Sequence, residues 1–188
     1  VNLCYIQARG GSRRFPGKNL YPWNGKPMLA DAIEKAKATG LFDYIVVSSD
    51  SVEILNVARQ YGAMPLLRSP EASIDTATDD DVAREVLGYF PKADIVCKLY
   101  PCIPLIKPKE IELLYHIVDK EYSECEYLVD LDGKDAGACY MFRMALYQKE
   151  KTISLKGLDW GRLITTNACD INTVEDYNEA VRMANEKA

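Results

Sequence analysis

Three short apolar runs, Leu3 to Ala8, Tyr44 to Ser48 and Ile95 to Leu99, each end in polar or turn residues, and between them the apolar spacing switches to a helical period. That alternation constrains the fold more than any other feature. Leu29, Ala32, Ile33 and Ala36 share one face of a helix that should stop at Gly40, and Ile54, Val57, Ala58 and Tyr61 repeat the pattern ahead of Gly62. Both glycines stand where a helix needs a left-handed residue to end it. Val82, Ala83, Val86, Leu87 and Phe90 outline a third helix, with Asp79, Asp80 and Asp81 in a first turn where the helix dipole favours negative charge. Pro108 opens a fourth, striped by Ile111, Leu114, Tyr115 and Val118. A Thr173-x-x-Asp176 capping pattern opens the last, striped by Tyr177, Ala180, Val181 and Ala184. Strands alternating with helices specify an α/β chain with a Rossmann-like, doubly wound, mainly parallel sheet and helices on both faces.

Residues 121 to 172 follow a different pattern, with short strands expected at Tyr127 to Val129 and Ala138 to Phe142 that should edge or cover the sheet. No repeat, low-complexity tract or linker divides the chain, so residues 1–188 are expected to form one domain. A formal net charge of -5 argues against a nucleic-acid partner held by general phosphate attraction. Six cysteines without a C-x-x-C pair, three of them (Cys4, Cys97, Cys139) inside apolar runs, suggest reduced buried thiols. With no export signal at the start and no run of membrane-spanning length, the expectation is a cytoplasmic protein with no membrane partner.

Open sheets of this type bind ligands beyond the carboxyl ends of their strands, which directs attention to the residues after Ala8, Ser48 and Leu99. Ala8 to Asn19 reads ARGGSRRFPGKN, carrying Arg9, Arg13, Arg14 and Lys18 and no acidic residue. Gly10, Gly11 and Gly17 let backbone N–H groups converge on phosphate oxygens while the cations neutralise charge. This is a polyphosphate cradle, distinct from a P-loop in its glycine spacing and in having Asn19 where Ser or Thr would hold a metal. A plain solvated basic loop is the competing explanation, and it leaves the glycines at a strand end unaccounted for.

ARGGSRRFPGKN, followed by Asn24-Gly25-Lys26-Pro27, resembles the signature of the cytidylyltransferases that activate acylneuraminate, pseudaminate and ketodeoxyoctonate sugars. Val46 to Ser51, Leu67-Arg68-Ser69-Pro70, Asp75 to Thr78 and Asp170-Ile171-Asn172-Thr173-x-x-Asp176 resemble further motifs of that family. The resemblance implies a nucleotide-diphospho-sugar transferase fold and a reaction in which the anomeric hydroxyl of an acidic sugar attacks the α-phosphate of CTP in line, giving CMP-sugar and pyrophosphate. It implies that Ala8, Gly10 and Gly11 belong to the nucleotide-binding loop, that Arg9, Ser12 and Lys18 hold the triphosphate, and that Asn19 and Arg68 contact the nucleoside. Asp79 and Tyr100 fall at the pyrimidine edge, and Asp170 with Asn172 would hold magnesium (Mg2+). Arg9, Lys18 and Asp170 would form the catalytic group, and residues 121–160 a shortened arm for the sugar site and a possible homodimer.

The chain departs from the family pattern at defined points. Tyr100-Pro101-Cys102-Ile103-Pro104-Leu105-Ile106 stands where the family has Gln-Pro-Thr-Ser-Pro-Leu-Arg, which removes a polar pyrimidine contact and a cation. Asp79 replaces a small hydroxyl residue and Asn172 a metal-binding carboxylate. Asp135-Ala136-Gly137 with Tyr140 resembles the pseudaminate branch, although a turn entering a strand explains the triplet as well. His116, Trp23, Trp160 and Cys169 are read as ordinary helix, packing and strand-end residues, and the Asp79 to Asp81 run as an acidic first turn rather than a metal cluster. Two other functions stay open: a related transferase using another nucleotide or acceptor, and a nucleotide-binding protein without turnover.

Overall fold

The computed structural model describes residues 1–120, 123–153, 164–168 and 170–186. In chain order the elements are β1 (Leu3–Gln7), a single 3₁₀ turn (Lys18–Leu20), β2 (Pro22–Trp23), β3 (Lys26–Pro27), α1 (Met28–Ala38), β4 (Tyr44–Ser49), α2 (Val52–Gln60) and β5 (Met64–Leu67). There follow α3 (Asp79–Tyr89), β6 (Ile95–Leu99), α4 (Pro108–Asp119), β7 (Cys125–Val129), β8 (Asp135–Arg143), α5 (Met144–Glu150), β9 (Ile164–Thr165) and α6 (Val174–Asn185).

The seven-stranded sheet runs β5-β4-β1-β6-β8-β7-β9. β5, β4, β1 and β6 pair in parallel, β8 pairs antiparallel with both β6 and β7, and β9 returns parallel to β7. The mainly parallel, doubly wound sheet expected from the alternation is thus the observed one. β1, an inner strand between β4 and β6, is apolar along its buried length because both of its faces are covered. Successive side chains point to opposite faces, so Cys4 and Ile6 pack with α1, α2 and α4, while Leu3 and Tyr5 pack with α3 and α5. A third cluster joins Phe15, Trp23, Met28 and Cys102 to Ile171 and Ala180, seating α6 on the segment that follows β1.

Local signals account for the helix boundaries. Thr78 and Asp81 form a capping box at α3, Thr173 and Asp176 form another at α6, and Ser51 accepts from the Ile54 N–H at α2. Gly40 and Gly62, with φ of 64° and 78°, follow α1 and α2 as expected. Residues 125 to 143 extend the sheet as its antiparallel edge rather than covering it. Five cysteines, Cys4, Cys97, Cys102, Cys125 and Cys139, are buried and free, and the reading of Cys169 lies outside the described residues, as does that of Trp160. Trp23 is buried against Tyr177, and His116 is an ordinary residue of α4. No helix among the described residues is long and apolar enough to cross a membrane.

Candidate active site

β1 delivers the glycine-rich loop to the carboxyl end of the sheet, where the Ala8 N–H still bonds to the Ser48 carbonyl at 2.9 Å. The Gly10 N–H then donates to Asp50 Oδ1 at 2.7 Å, and a Cβ on Gly10 would lie 3.0 Å from that of Ser51. Only glycine lets the loop approach the start of α2 so closely. The loop forms one wall of a cleft of about 450 Å³, with Arg9, Gly11, Ser12, Arg13, Arg14, Lys18 and Asn19 on that side and Tyr100, Asp170 and Asn172 opposite. Three segments singled out by sequence, after β1, after β6 and before α6, therefore meet.

Lys18 makes the junction. Its Nζ donates to the Ile171 carbonyl at 2.7 Å and to Asn172 Oδ1 at 3.1 Å, and lies 3.6 Å from Asp170 Oδ2. Asp170 Oδ1 is buried with no hydrogen-bond partner in the protein. Burial raises the Asp170 carboxyl from its ordinary value to about 6, against the opposing pull of Lys18. The Asn172 carbonyl, expected to face a metal, is taken up by Lys18, and its amide donates to the Asp170 carbonyl oxygen at 3.3 Å.

Arg9 and Arg13 both ion-pair with Asp75 in the loop before α3, and the two guanidiniums hold that carboxyl below the usual range, Arg9 by its hydrogen bond foremost. Asn19 differs from expectation. It is buried, its amide donating to the Arg9 carbonyl at 2.7 Å and its carbonyl accepting from the Cys102 thiol at 3.1 Å, so the side chain braces the loop instead of standing free for a nucleoside. Arg68 is buried and donates from Nε and Nη2 to Ser48 Oγ and O at 3.2 and 3.0 Å. With Gln7, Arg9, Thr78 and Asp79 it lines a second, smaller cavity of about 140 Å³. Gln7 and Arg9 border both cavities.

Asp79 and Tyr100 border the two cavities and are joined to each other. Both were placed at a pyrimidine edge, yet Asp79 Oδ1 accepts from Gln7 Nε2 at 2.6 Å while Oδ2 accepts from Lys98 Nζ and, at 3.1 Å, from the Tyr100 hydroxyl. Burial would raise the Asp79 carboxyl, but Lys98, Gln7 and Tyr100 outweigh it and hold the group below its ordinary value. The Lys98 ammonium, almost wholly buried, also lies over the rings of Tyr100 and Tyr140 at 4.6 and 5.1 Å. Tyr140 in turn donates to Asp135 Oδ2 at 2.6 Å. Asp79, Asp80 and Asp81 do form the acidic first turn of α3, in which Asp81 completes the cap and Asp80 also accepts from the Thr152 hydroxyl and the Ile153 N–H. Gln7 and Lys98 were missed, and their signal was a polar residue at the end of one apolar strand and within another.

The chain is similar to known proteins over most of its length. The family model for cytidylyltransferases matches residues 3–152. The pseudaminic acid cytidylyltransferase of Campylobacter jejuni is 40% identical over 119 residues, which cover 61% of this chain and 51% of that protein. The N-acylneuraminate cytidylyltransferase of Streptococcus agalactiae is 32% identical over an alignment covering 93% of this chain and 51% of that protein. The chain spans about half the length of these curated relatives. Among solved structures, CMP:2-keto-3-deoxy-manno-octonic acid synthetase complexed with CTP superposes with a TM-score of 0.78 over 100% of this chain and 99% of that one, a likeness of fold at 17% identity.

Proposed function

The chain belongs to the cytidylyltransferase family, and from that premise we propose that it couples CTP to the anomeric hydroxyl of a 2-keto-3-deoxy sugar acid, a sialic-acid-like nonulosonate, releasing pyrophosphate. The observation that carries this reading is the Lys18 junction, which gathers the phosphate loop and the Asp170 motif around one cleft. In it Arg9, Ser12 and Lys18, with the backbone of Gly11, hold the triphosphate, while Ala8 and Gly10, whose N–H groups bond to Ser48 and Asp50, shape the loop. Arg68 lines the nucleoside's side of the site, and Asn19 fixes the Arg9 carbonyl. The acceptor enters beside Asp170 and Tyr100, which face the loop across the cleft.

Magnesium fits this site through Asp170, whose Oδ1 is a buried acceptor that a cation would satisfy. The described residues contain no group of three or more His, Cys, Asp or Glu arranged as a metal site. The remaining ligands would come from phosphate oxygens and water, as is usual for this ion, with Asn172 joining only on release from Lys18. Bound there, it would supply charge neutralisation at the α-phosphate. The chain's own part is to align the triphosphate and hold its charge, since in-line transfer to an oxygen nucleophile needs no covalent enzyme intermediate. A homodimer using residues 121–160 and a cytoplasmic setting complete the proposal; 121–122 and 154–160 lie outside the described residues.

The internal commitment of Asp79 favours one second reading, a related transferase that takes another nucleotide. Incubation with each of the four ribonucleoside triphosphates, magnesium and a panel of nonulosonic and octulosonic acids, followed by pyrophosphate assay, separates the two. Release with CTP and a sugar acid supports the first. Release with ATP or GTP alone replaces it with the second, and nucleotide binding without release from any pair removes both in favour of a binding protein.

A further inference from the structure

The positions expected to read the base are filled by Asp79 and Tyr100, which are spent on each other and on Lys98. What the network leaves over is one atom. Gln7 Oε1 has no hydrogen-bond partner in the protein, although the side chain borders both the phosphate cleft and the smaller cavity beside Arg68. A buried acceptor without a partner is costly, and its persistence asks for a donor from outside the chain.

The orientation of a glutamine amide is ordinarily open, because its oxygen and nitrogen have the same shape. Here it is fixed. An ionised carboxylate only accepts, so the end of Gln7 that lies 2.6 Å from Asp79 Oδ1 must be the NH₂ group. Lys98 and Tyr100 supply the donors that occupy the other Asp79 oxygen. The amide oxygen is therefore turned away from Asp79.

We propose that Gln7, held by Asp79, is the residue that selects the nucleobase, its Oε1 accepting from an exocyclic amino group and opposing a carbonyl at the same edge. This rests on the assignment of the cleft to a nucleoside triphosphate. Cytosine carries an amino group where uracil carries an oxygen, so a fixed acceptor there favours CTP over UTP. Base selection then passes from the residue after β6 to the residue at the end of β1.

The test is the binding of CTP, UTP and inorganic tripolyphosphate to the wild-type chain, Gln7→Leu and Asp79→Asn, measured by calorimetry. The wild type should prefer CTP to UTP by about tenfold, the scale of one well-placed hydrogen bond against a mismatch. In Gln7→Leu the preference should fall to about unity while tripolyphosphate binds as before. Asp79→Asn, which keeps the shape and lets the Gln7 amide turn either way, should lower the preference too, and it serves if Gln7→Leu does not fold. A preference for CTP that survives in either folded variant overturns the proposal, as does a wild type that binds CTP and UTP equally. In both of those cases tripolyphosphate binding leaves the transferase reading standing. Failure of the wild type to bind any of the three overturns the cleft assignment itself.

Discussion

The Cys102 thiol donates to the side-chain carbonyl of Asn19 at 3.1 Å, and both residues are buried. Cys102 follows β6 and Asn19 follows the glycine-rich loop, so this bond ties together two segments that line the cleft. Burial pushes the thiol up to about 12, which keeps its hydrogen in place at neutral pH. Cys102 stands where the resembling family has threonine, another short donor, which gives the substitution a physical meaning.

Removing that donor leaves the Asn19 oxygen buried without it. Cys102→Ala should cost about 1 to 3 kcal/mol of stability in urea unfolding, and Cys102→Ser distinctly less, because the hydroxyl still donates. Equal losses in the two variants would mean that sulfur packing, not the hydrogen bond, is what Cys102 contributes.

Asp75 competes with the ligand. Its carboxylate neutralises Arg9 and Arg13, two of the cations facing the phosphate cleft, and it does so from an exposed position. Asp75→Asn should therefore tighten tripolyphosphate binding at low ionic strength, and the gain should shrink as salt screens the pairs. Weaker binding in calorimetry would show instead that Asp75 positions the arginines for phosphate.

Asp170 sets a conflict between stability and function. Its carboxyl titrates at about 6 in the folded chain against an ordinary 3.8, so the folded state holds a proton that the unfolded state has released between those values. Stability consequently falls as pH rises through that window and stays lower above it. Asp170→Asn should raise stability at pH 7 by up to about 3 kcal/mol and flatten its pH dependence between the two values, while abolishing magnesium-dependent turnover. An unchanged or lowered Tm at pH 7 would contradict the burial argument.

The parts of this architecture that were legible in the sequence are those fixed by local pattern. Stripes and caps announced α1, α2, α3, α4 and α6, and the glycines after β1 announced a loop at the carboxyl end of the sheet. α5 escaped notice because it has seven residues and follows directly from β8, with Arg143 and no side-chain cap at its start. β5 contains Pro65 and lies at the sheet edge with no buried residue, so it lacks an apolar strand signature. Asn24-Gly25 was a readable hairpin signal and does turn β2 into β3 with both residues at positive φ. The Gln7, Asp79, Lys98 and Tyr100 network could not be read in advance, because it depends on register. Lys98 lies opposite Tyr5 on one side and Tyr140 on the other, and only that alignment brings its ammonium beneath the first turn of α3.

Lys18 couples the two halves of the site, and its removal should therefore have two separable effects. The first is on the ligand: a charge-assisted contact to phosphate is worth about 1.5 to 3 kcal/mol, so Lys18→Met should weaken triphosphate binding by about tenfold or more. The second is on Asp170. Lys18 is the main group opposing the rise of that carboxyl, and at 3.6 Å its loss removes the nearby positive charge that favours ionisation. The Asp170 titration should then move further above about 6, and the acid limb of turnover should shift to higher pH with it. Saturating nucleotide separates the effects: it restores binding in Lys18→Met but leaves the displaced acid limb in place. A pH profile that coincides with the wild type at saturation would show that Lys18 serves the phosphate alone and does not set the charge state of Asp170.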